Sequence, residues 1–212
     1  MEIKDLLKKD LMIMDLKAST KMEAIDEMVA KLKEKNIISD EAAFKNLILK
    51  REEKSSTGLG EGVAMPHAKT SVVNTPTVLF ARSNKGINYD ALDGEPVYIF
   101  FMIAASEDAH DLHIDTLAKL SKMLLNDDFT QGLKTCGTPD EVYTLIDKYS
   151  EKSQEVIKKE AKEVQNTNKK KILAVTACPT GIAHTYMAEA ALKEAGEKLG
   201  VDVKVETNGA DG

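Results

Sequence analysis

Pro96-Val97-Tyr98-Ile99-Phe100-Phe101-Met102-Ile103-Ala104 is a near-continuous apolar run in a chain of 212 residues. A strand that is apolar at every position has no face to give to water, so this one reads as a central strand covered on both sides. Upstream, Thr77-Val78-Leu79-Phe80-Ala81-Arg82 has the β-branched and aromatic content of a second strand, and Asn84-Lys85-Gly86 and Asp93-Gly94-Glu95 read as turns. Downstream, Ser106-Glu107-Asp108 leads past His110 and His113 into a helix with Ile114, Leu117, Leu120 or Ser121, and Leu124 inward, which places His113 in or near its first turn. The stretch from Phe129 to Cys136 shows no clear period. Thr138-Pro139-Asp140-Glu141 then opens a helix, with a cap, Pro at the first helical position and Glu at the third.

Nearer the start, Leu11 to Leu16 reads as a first strand. Thr20 and Glu23 form a capping box ahead of Met22, Ile25, Met28, Val29 and Leu32, so Lys21 to Lys35 is expected to be an amphipathic helix. A second helix opens at Asp40, carries Ala43, Phe44, Leu47 and Ile48 on one face, and ends at Lys50-Arg51, where cations suit the helix dipole. Helices alternating with strands describe an α/β domain that closes near residue 150. Residues 151–170 are dominated by Glu, Lys and polar residues and read as a charged tether. The pattern then restarts: Ile172 to Thr176 as a strand, Cys178 to Thr185 as a loop, Ala183 to Leu199 as a helix, and Val201 to Glu206 as another strand. A β-loop-α-β unit of about 40 residues is too small for an independent core, so the second domain, 171–212, is expected to be cut short.

Hydrophobic residues at 42 %, charged residues at 30 % and a net charge of −6 describe a soluble globular chain and disfavour general binding to nucleic acid or to a membrane surface. Met1 to Leu16 is broken by Asp5, Asp10 and Asp15 and does not read as a signal peptide, and no apolar run reaches the ~20 residues needed to cross a bilayer. Cys136 and Cys178 fall in different domains, so no disulfide framework is expected and a reducing cytoplasm fits.

Two stretches carry chemistry. In Gly58-Leu59-Gly60-Glu61-Gly62-Val63-Ala64-Met65-Pro66-His67-Ala68, three glycines free the backbone before Pro66 stiffens it, and the loop so formed presents His67. A solvated loop histidine is the plain alternative. Arg51, at the helix end nearest this loop, is either a dipole-compensating surface residue or a guanidinium aimed at an anion beside His67. Cys178-Pro179-Thr180-Gly181-Ile182-Ala183-His184-Thr185 lies between a strand and a helix N-terminus, where backbone N–H groups gather on an anion and the dipole favours a thiolate. Its spacing is similar to the phosphate loop of low-molecular-weight tyrosine phosphatases, but His184 stands where those enzymes carry arginine, which disfavours hydrolysis. An inert buried Cys178, a zinc site using Cys178 and His184, and a metal pair at His110 and His113 are the remaining alternatives.

The motif Gly60 to His67 closely resembles the phosphorylation site of the fructose/mannitol-type IIA domain of the bacterial phosphoenolpyruvate-dependent sugar phosphotransferase system. His113-Ile114-Asp115-Thr116-Leu117-Ala118-Lys119-Leu120 resembles that family's second histidine motif, and Cys178 to Thr185 resembles the phosphocysteine loop of the fructose-type IIB domain. The resemblance implies a mixed sheet flanked by helices over 1–150 (IIA), a charged linker over 151–170, and over 171–212 a truncated β-loop-α-β piece of the doubly wound parallel sheet of IIB. It implies that His67 takes phosphate from phosphorylated HPr and becomes a tele-phosphohistidine. His113 would hydrogen-bond to the phosphorylated or attacking imidazole and fix its tautomer, and Arg51 would offset phosphate charge. Cys178 would relay the group to fructose or a related sugar held by a membrane IIC partner. No metal or cofactor is expected, since the transfer runs between protein nucleophiles. The implied place is the cytoplasm, peripheral to the membrane when joined to IIC. A nitrogen-type regulator, whose His67 phosphorylation gates partner binding, is the competing reading; the Cys178 loop favours onward transfer. A thiol phosphatase is a third.

Overall fold

Strand β5 (Val97–Ala105) is the spine of the sheet in the computed structural model, which describes residues 3–107, 110–150, 171–177 and 182–208, with backbone alone for 110–116, 171, 177, 182–184 and 208. The chain forms two compact units, Met1–His113 with Gln131–Ile146, and Ile114–Thr130 with Asp147–Gly212. In the first unit β4 (Thr77–Ile87) lies antiparallel along one edge of β5. The short strands β2 (Val63–Ala64) and β3 (His67–Lys69) pair in parallel with successive parts of the other edge, and β1 (Gly58–Gly60) pairs with β2. The sheet is mixed, as expected, and β5 is its centre.

Helices α2 (Lys21–Glu34) and α3 (Glu41–Lys54) place Ile25, Met28, Val29, Leu32, Phe44 and Ile48 in one core with Leu79, Ala81, Phe100, Met102 and Ala104 of the sheet. Residues of the opposite parity, Ile99, Phe101 and Ile103, are buried too, and Phe101 meets Phe80 edge-on at 5.4 Å between ring centroids. Burial on both faces is why β5 shows no polar alternation. The Thr20–Glu23 capping box forms in full, and Asp40 caps α3 by accepting from Ala43 N–H at 2.9 Å.

Several local expectations change. Residues 11–16 are not a strand: helix α1 (Ile3–Leu6) is followed by an isolated parallel bridge from Leu7 to Val78 and a single 3-10 turn (Lys9–Leu11), and the segment then touches β4 through a separate parallel bridge, Ile13 to Ala81. Asn84-Lys85-Gly86 is not a chain reversal but an irregularity within β4. Gly86 adopts φ +77°, and a Cβ there would stand 2.9 Å from the Tyr98 ring, so the signal marks a bulge pressed against an aromatic. The stretch from Phe129 to Cys136 is mostly helix α5 (Asp127–Thr135), capped by the Asn126 side chain accepting from Phe129 N–H at 3.1 Å. Three groups, that cap, the acidic pair Asp127-Asp128 and the terminal Lys134, were the signal for it. Helix α4 (His110–Leu124) holds His110 and His113 in its first turn, and α6 occupies 139–150 behind Thr138.

In the second unit β6 (Lys171–Ala177) and β7 (Asp202–Asn208) pair in parallel across helix α7 (Ile182–Lys198), the βαβ crossover expected of that region. Gly196 lets α7 lie against β7, since a Cβ there would sit 2.3 Å from Val203 Cγ2. The linker expectation for 151–170 lies outside the described residues. No helix of the described residues is long and apolar enough to cross a membrane.

Candidate functional site

The Gly58–Ala68 stretch is a set of short strands rather than an open loop. The chain leaves β1 through Gly60 at φ +103°, Glu61 at +54° and Gly62 at +82°, three successive left-handed residues that reverse it within the space of the β1–β2 turn. Glu61 tolerates its conformation because its N–H donates to the Asp93 carboxylate at 2.8 Å. A bond from Glu95 N–H, and then that from Glu61, hold the Asp93 carboxyl below its ordinary value. Two further bonds close the stretch: Met65 N–H donates to the Thr57 carbonyl at 2.9 Å, and Ile103 N–H of β5 donates to the Pro66 carbonyl at 2.9 Å. His67 therefore enters the sheet at a set position, opposite Ile103.

Its imidazole is held as tightly as its backbone. Nδ1 lies 2.8 Å from the Met65 carbonyl oxygen. A carbonyl can only accept, so Nδ1 carries the hydrogen and Nε2 keeps its lone pair. The residue is half-buried, with protein atoms packed densely about the ring while part of its surface stays open. Burial pushes the imidazole down to about 4; the Met65 bond opposes this, and the nearby positive charge of Arg51 adds to it. His67 is thus neutral at every pH near 7, with its hydrogen on Nδ1, and the Arg51 charge that resists its protonation would attract an anion arriving there.

Arg51 is placed by the last turn of α3, where Nη1 donates to the Ser55 carbonyl at 3.1 Å. The structure sets the Arg51 charge close enough to act on the His67 ring. The Met65 carbonyl, a group that every residue carries and no motif can announce, is one partner that fixes the tautomer of the ring. The His113 backbone lies in the first turn of α4, and its side chain, like those of His110 and His184, falls outside the description. Cys178 lies outside the described residues altogether.

A group of residues that sequence reasoning missed stands behind the His67 strand. Glu52, buried next to Arg51, accepts from Thr57 N–H at 3.1 Å, from the Thr57 hydroxyl and from Tyr89 O–H at 3.3 Å, and pairs with Lys21 Nζ at 3.0 Å. Lys21 Nζ also lies 4.6 Å from the Tyr89 ring centroid. Burial, and then the Glu52 charge, push the Tyr89 phenol well above its usual range. Glu52 follows Phe44 and Ile48 at four-residue intervals, and a carboxylate continuing an apolar stripe was the available signal.

A family model described as "Phosphoenolpyruvate-dependent sugar phosphotransferase system, EIIA 2" matches residues 5–149, and one described as "PTS system, Lactose/Cellobiose specific IIB subunit" matches residues 173–212. The first match, over most of the chain, defines a phosphotransferase-system protein of the IIA kind, and the second is to a short IIB-like segment. The chain belongs to the EIIA 2 family of the phosphoenolpyruvate-dependent sugar phosphotransferase system. Over all of its 212 residues it is 43 % identical to the PTS system fructose-specific EIIABC component of Bacillus subtilis, and it spans 33 % of that protein's length. It is 31 % identical over 146 residues to a nitrogen regulatory protein of Bradyrhizobium diazoefficiens, covering 69 % of this chain and 95 % of that one. Among solved structures, nitrogen regulatory protein IIA-Ntr from Neisseria meningitidis superposes with a TM-score of 0.64 at 28 % identity, over 68 % of this chain and 98 % of that one.

Proposed function

We propose that this chain is a phosphotransferase component of sugar uptake, in which His67 accepts a phosphoryl group from phosphorylated HPr and Cys178 receives it next. The observation that carries this reading is the 2.8 Å contact of His67 Nδ1 with the Met65 carbonyl, beside the Arg51 charge. The Nε2 lone pair attacks phosphorus, the P–N bond to the donor imidazole breaks, and the electron pair of that bond returns to the donor ring. Positioning and charge stabilisation supply the catalysis. Arg51 offsets the phosphoryl charge, and His113, on α4, hydrogen-bonds to the phosphorylated or attacking imidazole. The thiolate of Cys178 then attacks the same phosphorus as the P–Nε2 bond breaks and its electron pair returns to the His67 ring. A hydroxyl of fructose, or of a related sugar, on a membrane IIC partner next takes the group, losing its proton as the P–S bond breaks and the thiolate is restored. The working division is 1–150 as IIA, 151–170 as linker and 171–212 as IIB sequence, acting at the inner face of the membrane.

The relation to nitrogen regulatory proteins favours a second reading, in which phosphorylation of His67 gates the binding of a partner. The two part at Cys178, because a regulator needs no onward acceptor. Incubation with labelled phosphoenolpyruvate, enzyme I and HPr should place acid-labile phosphate on His67, and His67→Ala should abolish it. Labelling of His67→Ala at the parental level would overturn the acceptor assignment. A Cys178→Ser chain that charges at His67 and loses transfer to sugar in the presence of IIC supports the uptake reading; unchanged transfer to sugar sinks the relay.

A further inference from the structure

We propose that Glu52 is a positioning residue for His67, its carboxylate holding the Thr57–Met65 backbone pair in the place from which the Met65 carbonyl orients the imidazole. This rests on the reading of His67 as the phosphoryl acceptor and extends it to a residue that never touches the phosphoryl group.

The contacts form one continuous chain. Lys21, the first residue of α2, reaches Glu52 Oε2 at 3.0 Å, and Glu52 holds Thr57 twice, through its N–H and its hydroxyl. The Thr57 carbonyl accepts from Met65 N–H at 2.9 Å, and the Met65 carbonyl accepts from His67 Nδ1–H at 2.8 Å. Tyr89 O–H closes the cluster on Glu52 Oε1, and the Tyr89 carbonyl accepts from Ser56 Oγ at 3.1 Å, one residue before Thr57. The same carboxylate thus ties α3, which carries Arg51, to the strand entry that aims His67. A shift of Thr57 away from Glu52 would move the Met65 peptide and change the distance between Arg51 and the ring together.

The chemistry requires a carboxylate. Four donors converge on two oxygens, and an apolar side chain in this buried place would leave the Thr57 N–H and hydroxyl and the Tyr89 phenol in need of new partners, and the Lys21 ammonium with Asp90 at 3.5 Å as its remaining carboxylate. A fold needing only filler behind β1 would put an aliphatic residue at this point of the Phe44–Ile48 stripe. Glutamine has the same shape but turns an N–H₂ toward donors, so Glu52→Gln tests the charge and the acceptor pattern without emptying the site.

The experiment compares the parent with Glu52→Gln, Thr57→Val and Thr57→Ser in the full chain, with two readouts. Nitrogen-15 NMR of His67 reports which ring nitrogen carries the hydrogen, and single-turnover transfer from phosphorylated HPr reports the rate. Glu52→Gln should blur the parental Nδ1–H signature into a mixture of tautomers. It should also slow transfer at saturating donor by on the order of tenfold to a hundredfold, the scale of loss for a misplacement of about 1 Å, with the half-saturating donor concentration unchanged. Thr57→Val should show the same direction to a smaller degree, and Thr57→Ser, which restores the hydroxyl, should behave as the parent. Parental tautomer and rate in both Glu52→Gln and Thr57→Val overturn the proposal, as does a Thr57→Ser loss equal to that of Thr57→Val, which would make packing the cause. Should Glu52→Gln fail to fold, the Thr57 pair decides. If the parent takes no phosphate, the acceptor reading fails while the tautomer measurement still decides the clamp.

Discussion

Strand β5 runs between β4 on one edge and β2 and β3 on the other, and Val97, Ile99, Phe100, Phe101 and Met102 keep no exposed surface. Strand β6 is also largely apolar, with Lys171 and Thr176 its polar positions, yet among the described residues it pairs only with β7, and Leu173 and Val175 remain 79 % and 67 % exposed. The comparison separates two things that an apolar run can mean. Apolar content predicts a strand; the number of covering elements decides how much stability the strand returns. Residues 1–150 include two amphipathic helices, capped by Thr20 and Asp40, to cover their sheet. The βαβ of the second unit has one helix, and it serves one face.

The largest difference should appear on deleting side chains from the two strands. Phe100 is fully buried, with its ring 5.5 Å from that of Tyr89. Phe100→Ala should cost about 3–5 kcal/mol in urea unfolding. Leu173→Ala should leave stability within about 0.5 kcal/mol of the parent. A Leu173→Ala loss above about 1 kcal/mol would break the contrast, because it would require β6 to be covered in solution.

The same contrast explains what could be read in advance. The mixed sheet, the central place of Val97–Ala105, the two capped helices and the βαβ restart were legible because each rests on a local rule of period or cap. Residues 11–16 were misread because an extended segment that bridges β4 at single points has the same composition as a strand. Gly86 signals positive φ, but whether that serves a turn or a bulge depends on Tyr98, a neighbour twelve residues away. At the candidate site, His67 and Arg51 stand out in the sequence by residue type and place. The Met65 carbonyl carries no sequence signature, and Glu52 was hidden inside Arg51-Glu52-Glu53-Lys54, a run that looks like a solvated helix end.

Dense packing around His67 sharpens the comparison through pH. Its folded value of about 4 lies below the ~6.5 of an unfolded imidazole. Between those values the unfolded chain binds more protons, so this group's contribution is fully present above pH 6.5 and is lost as pH falls toward 4. The loss should approach about 2–3 kcal/mol. His67→Asn, which keeps a side-chain N–H for the Met65 carbonyl, should remove that part of the acid limb, read as the difference in stability between parent and variant from pH 7 to pH 4.5. Phosphoryl acceptance should meanwhile show no His67 titration between pH 5.5 and 8. An inflection near 6.5 in acceptance, assigned to His67 by its ring signals, or a stability difference that stays flat from pH 7 to pH 4.5, would mean that the ring is hydrated rather than enclosed.

A matched pair of glycines tests the two regions at the scale of one backbone position. Gly62, before β2, and Gly200, before β7, adopt φ +82° and +67°, so alanine is strained at both. They differ in surroundings. A Cβ at Gly62 would stand 3.1 Å from Tyr98 Cδ2 and from the end of the Lys134 side chain, whereas nothing lies within 4 Å of one at Gly200. Both substitutions should carry the left-handed penalty of about 1–2 kcal/mol. Gly62→Ala should exceed Gly200→Ala, because Tyr98 belongs to β5 and has little room to give, while Lys134 can swing away. Gly62→Ala should also slow phosphoryl acceptance, since the Gly62 carbonyl accepts from Tyr98 N–H at 2.8 Å and from Ile99 N–H at 3.0 Å, anchoring the turn that leads to His67. Equal stability losses at the two positions, with acceptance at the parental rate, would show that the turn before β2 yields as readily as the one before β7, and that the precision of the His67 strand is set downstream of Gly62.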